Sequence, residues 1–200
     1  MHPSKTTSYG ICNRHHFSQT YGTLESLTLE VLTMSKRQLT CHETLSITNH
    51  RVFSSDLNEH NTVFGGQTLS MVDNTSSIAA SRAAHQVTAT VSMDHLNFIA
   101  PFELQDAMVF ESYVTGTSHR SLEVFVKGIG EHLLTGERFV GFTCFVTFVT
   151  AAKPADPELP EIVPETDEEK FICAGYQDRL AERKVDRDEQ KAIFSHLNLD

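Results

Sequence analysis

One helical stretch followed by four strand-like runs, with no second helix between them, sets what this chain can fold into. Across residues 66–84, Leu69, Val72, Ser76, Ala79 and Ala83 recur at spacings of three and four, the period of one helix face. Ser76, Ser77, Ala79, Ala80, Ala83 and Ala84 keep one side small, so a sheet can come close to the helix axis. Residues 87–98 then alternate: Val87, Ala89, Val91 and Met93 share one parity, and Thr88, Thr90, Ser92 and Asp94 the other. Residues 107–117, 121–130 and 137–150 read as three more strands. The last is the longest and most apolar, which predicts a central place in the sheet. Residues 45–53, LSITNHRVF, alternate less cleanly and read as a weaker first strand. One antiparallel sheet wrapped on one long helix is an α+β fold.

The flanks have another character. Residues 1–44 are rich in Ser, Thr and His and lack the charged start and long apolar run of a secretory leader. They are expected to form a poorly ordered N-terminal extension. Met34-Ser35-Lys36-Arg37 reads as a start of translation, which would make residues 1–33 an upstream extension. Residues 45–152 form the folded domain, and residues 153–200 a proline-rich linker with an acidic C-terminal helix. Thr166-Asp167-Glu168-Glu169 fits a capping box, and one polar helix is expected from there to about residue 196. The formal net charge of −10, much of it from that tail, argues against a nucleic-acid partner. No apolar run approaches the ~20 residues that cross a bilayer. Cys12, Cys41, Cys144 and Cys173 show no CxxC pairing, which reads as reduced thiols in a cytoplasmic protein. The eleven histidines show no metal-ligand spacing, so no metal is expected.

The chemistry concentrates in residues 58–84. A polar loop from Asn58 meets Gly65-Gly66, where the helix opens. Glycine lets a ligand approach the backbone closely. The first amides of a helix lack internal acceptors, and the dipole there favours negative charge. Gly65 and Gly66 are therefore candidates to hold a developing oxyanion. Asp73, two turns in, is the nearest acid able to act as base or nucleophile. A carboxylate on a helix packed under a sheet is costly without a purpose.

Several motifs in one order resemble a known family. They are Asp56-Leu57-Asn58, Phe64-Gly65-Gly66 and Met71-Val72-Asp73, then Asp94-His95-Leu96-Asn97-Phe98 with Pro101. Residues 116–121 (GTSHRS), Leu134-Thr135-Gly136-Glu137-Arg138 and Pro164-Glu165-Thr166-Asp167-Glu168-Glu169 complete the set. From about Leu45 to about Arg179 the chain resembles the hotdog-fold acyl-CoA thioesterases, the bacterial acyl-CoA hydrolases of the YkhA and YciA type. The resemblance implies hydrolysis of acyl-CoA to a free acid and CoA, with no metal or organic cofactor. It implies a homo-oligomer with a dimer as the minimal unit, assembled further as a trimer of dimers. A catalytic carboxylate falls on Asp73 and a catalytic asparagine on Asn58, supplied by different protomers. Asp73 has two possible roles, deprotonating a water or attacking the carbonyl to give an anhydride. CoA is anionic, which nominates Arg120 with Ser121, Arg138 and Arg82 for its phosphates. Phe98, Ile99 and Met71 are candidates for the acyl pocket. The alternative is a non-catalytic acyl-CoA sensor or assembly partner with the same fold. Asn61, Asn74 and Gln105 depart from the family pattern. Asn61 and Gln105 stand where glycine is usual, and Asn61 can tolerate a left-handed backbone.

Overall fold

A computed structural model describes residues 36–198. The reading of residues 1–33, and Cys12 with it, lies outside them. The elements in order are β1 (Gln38–Thr40), α1 (Cys41–Thr44), β2 (Ser46–Arg51), a 3-10 turn at Ser54–Asp56 and α2 (Gly65–Ala84). They continue with β3 (Thr88–Phe98), β4 (Asp106–Thr117), β5 (Ser121–His132) and β6 (Glu137–Thr150). The chain ends in β7 (Glu161–Val163), α3 (Asp167–Ala174) and α4 (Tyr176–Phe194). Strands β2-β4-β5-β6-β3 form one antiparallel sheet. Helix α2 packs against all five of them, which is the hotdog arrangement.

Small residues make this wrap possible. Val72, Ala79, Ala80, Ala83 and Ala84 are fully buried, and they meet Met108, Phe110, Phe142 and Phe148 of the sheet. Ser76 returns its hydroxyl to the Val72 carbonyl at 2.7 Å, and Ser112 of β4 donates to the Thr75 carbonyl at 3.2 Å. These bonds satisfy the Ser76 and Ser112 hydroxyls without side chains that would push helix and sheet apart, while the buried Thr75 hydroxyl has no partner among the described residues. The helix ends at His85, whose left-handed φ of 51° stops it.

Strand β6 takes the interior place its apolar run predicts, between β5 and β3 and against α2. Two expectations are corrected. Residues 38–44 belong to the folded unit and not to a loose extension. Strand β1 pairs in parallel with β7, and Thr40 caps α1 through a capping box with Glu43. The C-terminal helix is two helices. Thr166 caps α3 as the sequence predicts, with Glu169 returning to it, but the chain turns at Gly175 before α4 begins.

The last helices are fixed to the sheet by a buried carboxylate. Glu123 of β5 has no exposed side-chain surface, and it binds Arg179 at 2.8 Å and also Arg183. Thr115, bulged out of β4, donates to the same carboxylate at 2.6 Å. Beside it Tyr176 lies against Gly116, where a Cβ would come within 2.4 Å of the ring.

Candidate active site

The loop ahead of α2 closes on itself. Asp56 Oδ2 accepts from the Phe53 amide and shares a hydrogen bond with His50 Nε2, both at 2.8 Å. Burial alone would raise this carboxyl's pKa, but the two hydrogen bonds outweigh it and hold the group below its ordinary range. The Asp56 carbonyl accepts from the Phe64 amide at 2.8 Å. At the turn, Asn58 Oδ1 accepts from the amides of His60 at 2.9 Å and Thr62 at 3.2 Å. Its Nδ2 donates to Thr62 Oγ1 at 3.1 Å, leaving a second amide hydrogen for another acceptor. Asn61 adopts φ 60° and Gln105 φ 74°, so both stand in left-handed backbone where glycine would be easier.

The loop delivers an open helix start. Phe64 is the N-cap and offers no side-chain acceptor to the helix. The amides of Gly65 and Gly66 are its first two and have no acceptor within it. On Gly66 a Cβ would meet the Phe64 ring at 2.5 Å, whereas on Gly65 it would meet nothing nearer than Phe98 at 3.8 Å. Gly65 therefore has the free side, and it borders a cleft of about 340 Å³. Thr62, Val63, Thr68 and residues 98–102 complete the lining. The Gly141 carbonyl secures that last segment, accepting from the amides of Ile99 at 2.7 Å and Ala100 at 3.1 Å. Phe98 and Ile99 line the cleft, while Met71 packs against the main core instead.

Asp73 is half-buried on α2, and Thr90 of β3 donates to its Oδ1 at 2.6 Å. The sequence reading does not single out Thr90. Its signal was present in the hydroxyl parity of β3, Thr88, Thr90 and Ser92, but only the fold shows which of these meets the helix. Gly65 and Asp73 are eight residues apart, about 12 Å along α2 at 1.5 Å per residue.

The expected CoA residues are not gathered in one chain. Arg120 and Ser121 stand where β5 begins, beside Thr150, and Arg120 Nη2 donates to the Thr150 carbonyl at 2.8 Å. Ser121 shares a hydroxyl hydrogen bond with Ser118 at 2.7 Å. Arg138 pairs with Glu131 at the other end of the β5–β6 hairpin, roughly 35 Å away at the strand rise of ~3.3 Å. Arg82 is exposed and donates to the Leu45 carbonyl. Among the described residues no three His, Cys, Asp or Glu are arranged to hold a metal ion. Among them, too, no helix is long and apolar enough to cross a membrane.

Comparison with known proteins agrees with this architecture. The thioesterase superfamily model matches residues 60–137, which span the helix start, Asp73 and Thr90. The chain is 41% identical over 161 residues to the acyl-CoA thioester hydrolase YkhA of Bacillus subtilis, covering 80% of this chain and 94% of that one. An acyl-CoA hydrolase from Bacillus cereus superposes with a TM-score of 0.77 at 38% identity, over 82% of this chain and 100% of that one. An acyl-CoA hydrolase from Staphylococcus aureus, solved with butyryl-CoA, CoA and CoA disulfide, gives 0.74 at 26% identity, over 80% and 98%. Variants of that enzyme have been solved with alanine replacing an asparagine, an aspartate and a threonine. Those positions are 15 and 17 residues apart, the separations of Asn58, Asp73 and Thr90 here. A hexameric acyl-CoA thioesterase gives 0.71 at 30% identity, over 76% and 97%. The chain belongs to the thioesterase superfamily, among its hotdog-fold acyl-CoA hydrolases.

Proposed function

We propose that this chain hydrolyses acyl-CoA, adding water to the thioester carbonyl and releasing a carboxylic acid and CoA. The Asp73–Thr90 pair carries the reading. A half-buried carboxylate held by one hydroxyl at 2.6 Å is oriented, yet keeps an oxygen free for chemistry. The amides of Gly65 and Gly66 receive the carbonyl oxygen as it gains charge, a contact worth about 3 kcal/mol per donor. Asp73 either takes a proton from the attacking water or attacks the carbonyl itself. In a single turnover in heavy-oxygen water, label in Asp73 identifies the anhydride route, because it enters only when water attacks the Asp73 carboxyl carbon of the anhydride. The thiolate departs readily, so no strong general acid is needed. The reading calls for no metal or organic cofactor.

Helix geometry supports a site shared between protomers. Gly65 and Asp73 of one chain are about 12 Å apart along α2 and cannot both reach one carbonyl. Asp73 is therefore taken from one protomer, and Asn58, Gly65 and Gly66 from its partner. The free edge of β3, with Val91 61% exposed in a bulge beside Thr90, offers the seam for such a dimer. A hexameric relative supports a higher homo-oligomer, which we take as three such dimers. Arg120 and Ser121 then serve CoA on the Asp73 side, and Arg138 reaches it from another protomer. Arg82, already engaged with a carbonyl, takes the least part. The catalytic unit is residues 45–152, with residues 153–200 braced against it. The thiols of Cys41, Cys144 and Cys173 are free, which suits the cytoplasm, where CoA thioesters are made and consumed.

The test is CoA release from a series of short to long acyl-CoAs, read with a thiol-reactive dye. Wild type turns over, and Asp73→Ala stays folded while losing most of the rate. Binding of acyl-CoA without thiol release would defeat the hydrolase reading in favour of the sensor.

A further inference from the structure

The described residues hold a second cleft, of about 560 Å³, on the side where α3 meets the end of β4. Lys36, Thr117, Lys170, Cys173 and Tyr176 are among its walls. None of these residues takes part in the proposed hydrolysis. Cys173 also touches a second thiol. Its Sγ lies 3.7 Å from that of Cys41, which sits fully buried at the start of α1. Around the pair are Tyr113, Phe125, Phe145 and Ile172, an apolar shell.

We propose that Cys173 and Cys41 form a thiol–disulfide exchange site, which takes a low-molecular-weight disulfide from this cleft and ends as an internal Cys41–Cys173 bond. Their positions divide the work. Only Cys173 borders open space, so it meets the disulfide first. Cys41, with no exposed surface, can reach nothing but Cys173. The Cys41–Cys173 hydrogen bond favours the Cys173 thiolate and lowers its pKa, against burial and the Glu169 carboxylate, and Arg179 adds to the effect. The same hydrogen bond and burial raise the Cys41 thiol, which keeps it protonated until its partner has reacted.

The steps balance. The Cys173 thiolate attacks one sulfur of R–S–S–R; that bond breaks, and one RS⁻ leaves and takes a proton. Cys41 then gives up its proton and attacks the Cys173 sulfur of the mixed disulfide, expelling the second RS⁻. Two protein thiols are oxidised and one external disulfide is reduced to two thiols. The sulfurs must close from 3.7 Å to about 2.05 Å. Cys144 stands apart: it is fully buried, and burial pushes its pKa up to about 12. The new bond would staple α1 to α3 and so tie the two ends of the described chain together.

The experiment uses the full chain with Cys12→Ser, which leaves three thiols. It is incubated with glutathione disulfide, then unfolded and titrated for thiols. The expected count falls from three to one and returns to three with dithiothreitol. Peptide mapping finds Cys41 joined to Cys173, and the Tm rises. Cys41→Ser stops at one glutathione per chain on Cys173, and Cys173→Ser takes up none. The proposal is overturned if the Cys12→Ser chain keeps all three thiols. It is equally overturned if a stable glutathione adduct forms with no internal bond, or if Cys144 reacts as fast as Cys173.

Discussion

Asp73 and Glu123 are carboxylates of the same sheet-and-helix core, and they are treated in opposite ways. Asp73 is half-exposed, and its side chain has one partner among the described residues, the Thr90 hydroxyl. Glu123 has no exposed side-chain surface and is saturated by Thr115, Arg179 and Arg183. Arg179 is itself fixed, its guanidinium 4.0 Å from the centroid of the Phe145 ring. A buried charge must be fully partnered to persist. A charge that is to react must keep a lone pair uncommitted. The two lie at the same level of the sheet, since Glu123 faces Thr147 and Thr90 faces Phe148 of β6, so the contrast is between a carboxylate left available and one spent on holding the shape.

The sharpest way to break the comparison is to remove each charge. Asp73→Asn should cost about 10²–10⁴-fold in kcat/KM, as expected for loss of a general base. Its Tm should barely move, since one hydroxyl bond is all that changes; a matching fall in Tm would mean the residue is structural. Glu123→Gln should do the reverse. It leaves two buried arginines without their anion, and urea unfolding should report a loss of about 3–5 kcal/mol, with the remaining folded enzyme still active. Thr90→Val should lower kcat by about 10–100-fold, the worth of a hydrogen bond to a charged group, with KM nearly unchanged. A smaller contrast uses glycine. Gly116→Ala drives a methyl into Tyr176 and should cost about 1–3 kcal/mol. Gly65→Ala has room, so it should fold normally and lose activity through the methyl in the cleft.

The smallest effects are pH-dependent and come from two His–Asp contacts. Asp56 has a depressed pKa, so its contribution is present above its unfolded value of 3.8 and is lost as pH falls through the lower folded value. His132 has a raised pKa, chiefly from its 2.8 Å hydrogen bond to Asp106. Its contribution is complete below the unfolded 6.5 and disappears as pH rises through the higher folded value. A Tm profile should therefore lose its acid limb in Asp56→Asn and flatten above neutrality in His132→Gln.

The parts of this molecule that depend on local period were legible from residues alone. Strands β3 to β6 begin and end within about two residues of where alternation places them, because each buries one face against the same helix. Helix α2 and the Thr166 cap were legible for the same reason. The three-residue strands β1 and β7 were not, because nothing in QLT or EIV distinguishes a strand until the partner is known. The break at Gly175 was missed because a polar helix pattern runs through it; the turn is made by Arg179 folding back onto the Ile172 carbonyl and Glu123. In the site, Asp73, Asn58 and the glycine pair stand out through type and spacing. Thr90 does not, since a threonine on an alternating edge strand is ordinary until α2 is laid against it. The separation of Arg120 from Arg138 needed the hairpin register, which no motif encodes.

The pairing of β1 with β7 has a consequence for how this protein comes into being. Gln38 and Glu161 are 123 positions apart along the chain, yet their side chains meet at 2.9 Å. A ribosome releases its product from the N-terminus at roughly 5–20 residues per second. β1 therefore emerges several seconds before its partner exists. Throughout that wait the helix and the long hairpins can assemble, while the opening strand remains an unsatisfied edge in a crowded cell. The segment translated among the first is tied down among the last, and nascent chains stalled before β7 are the species on which a holding chaperone would act.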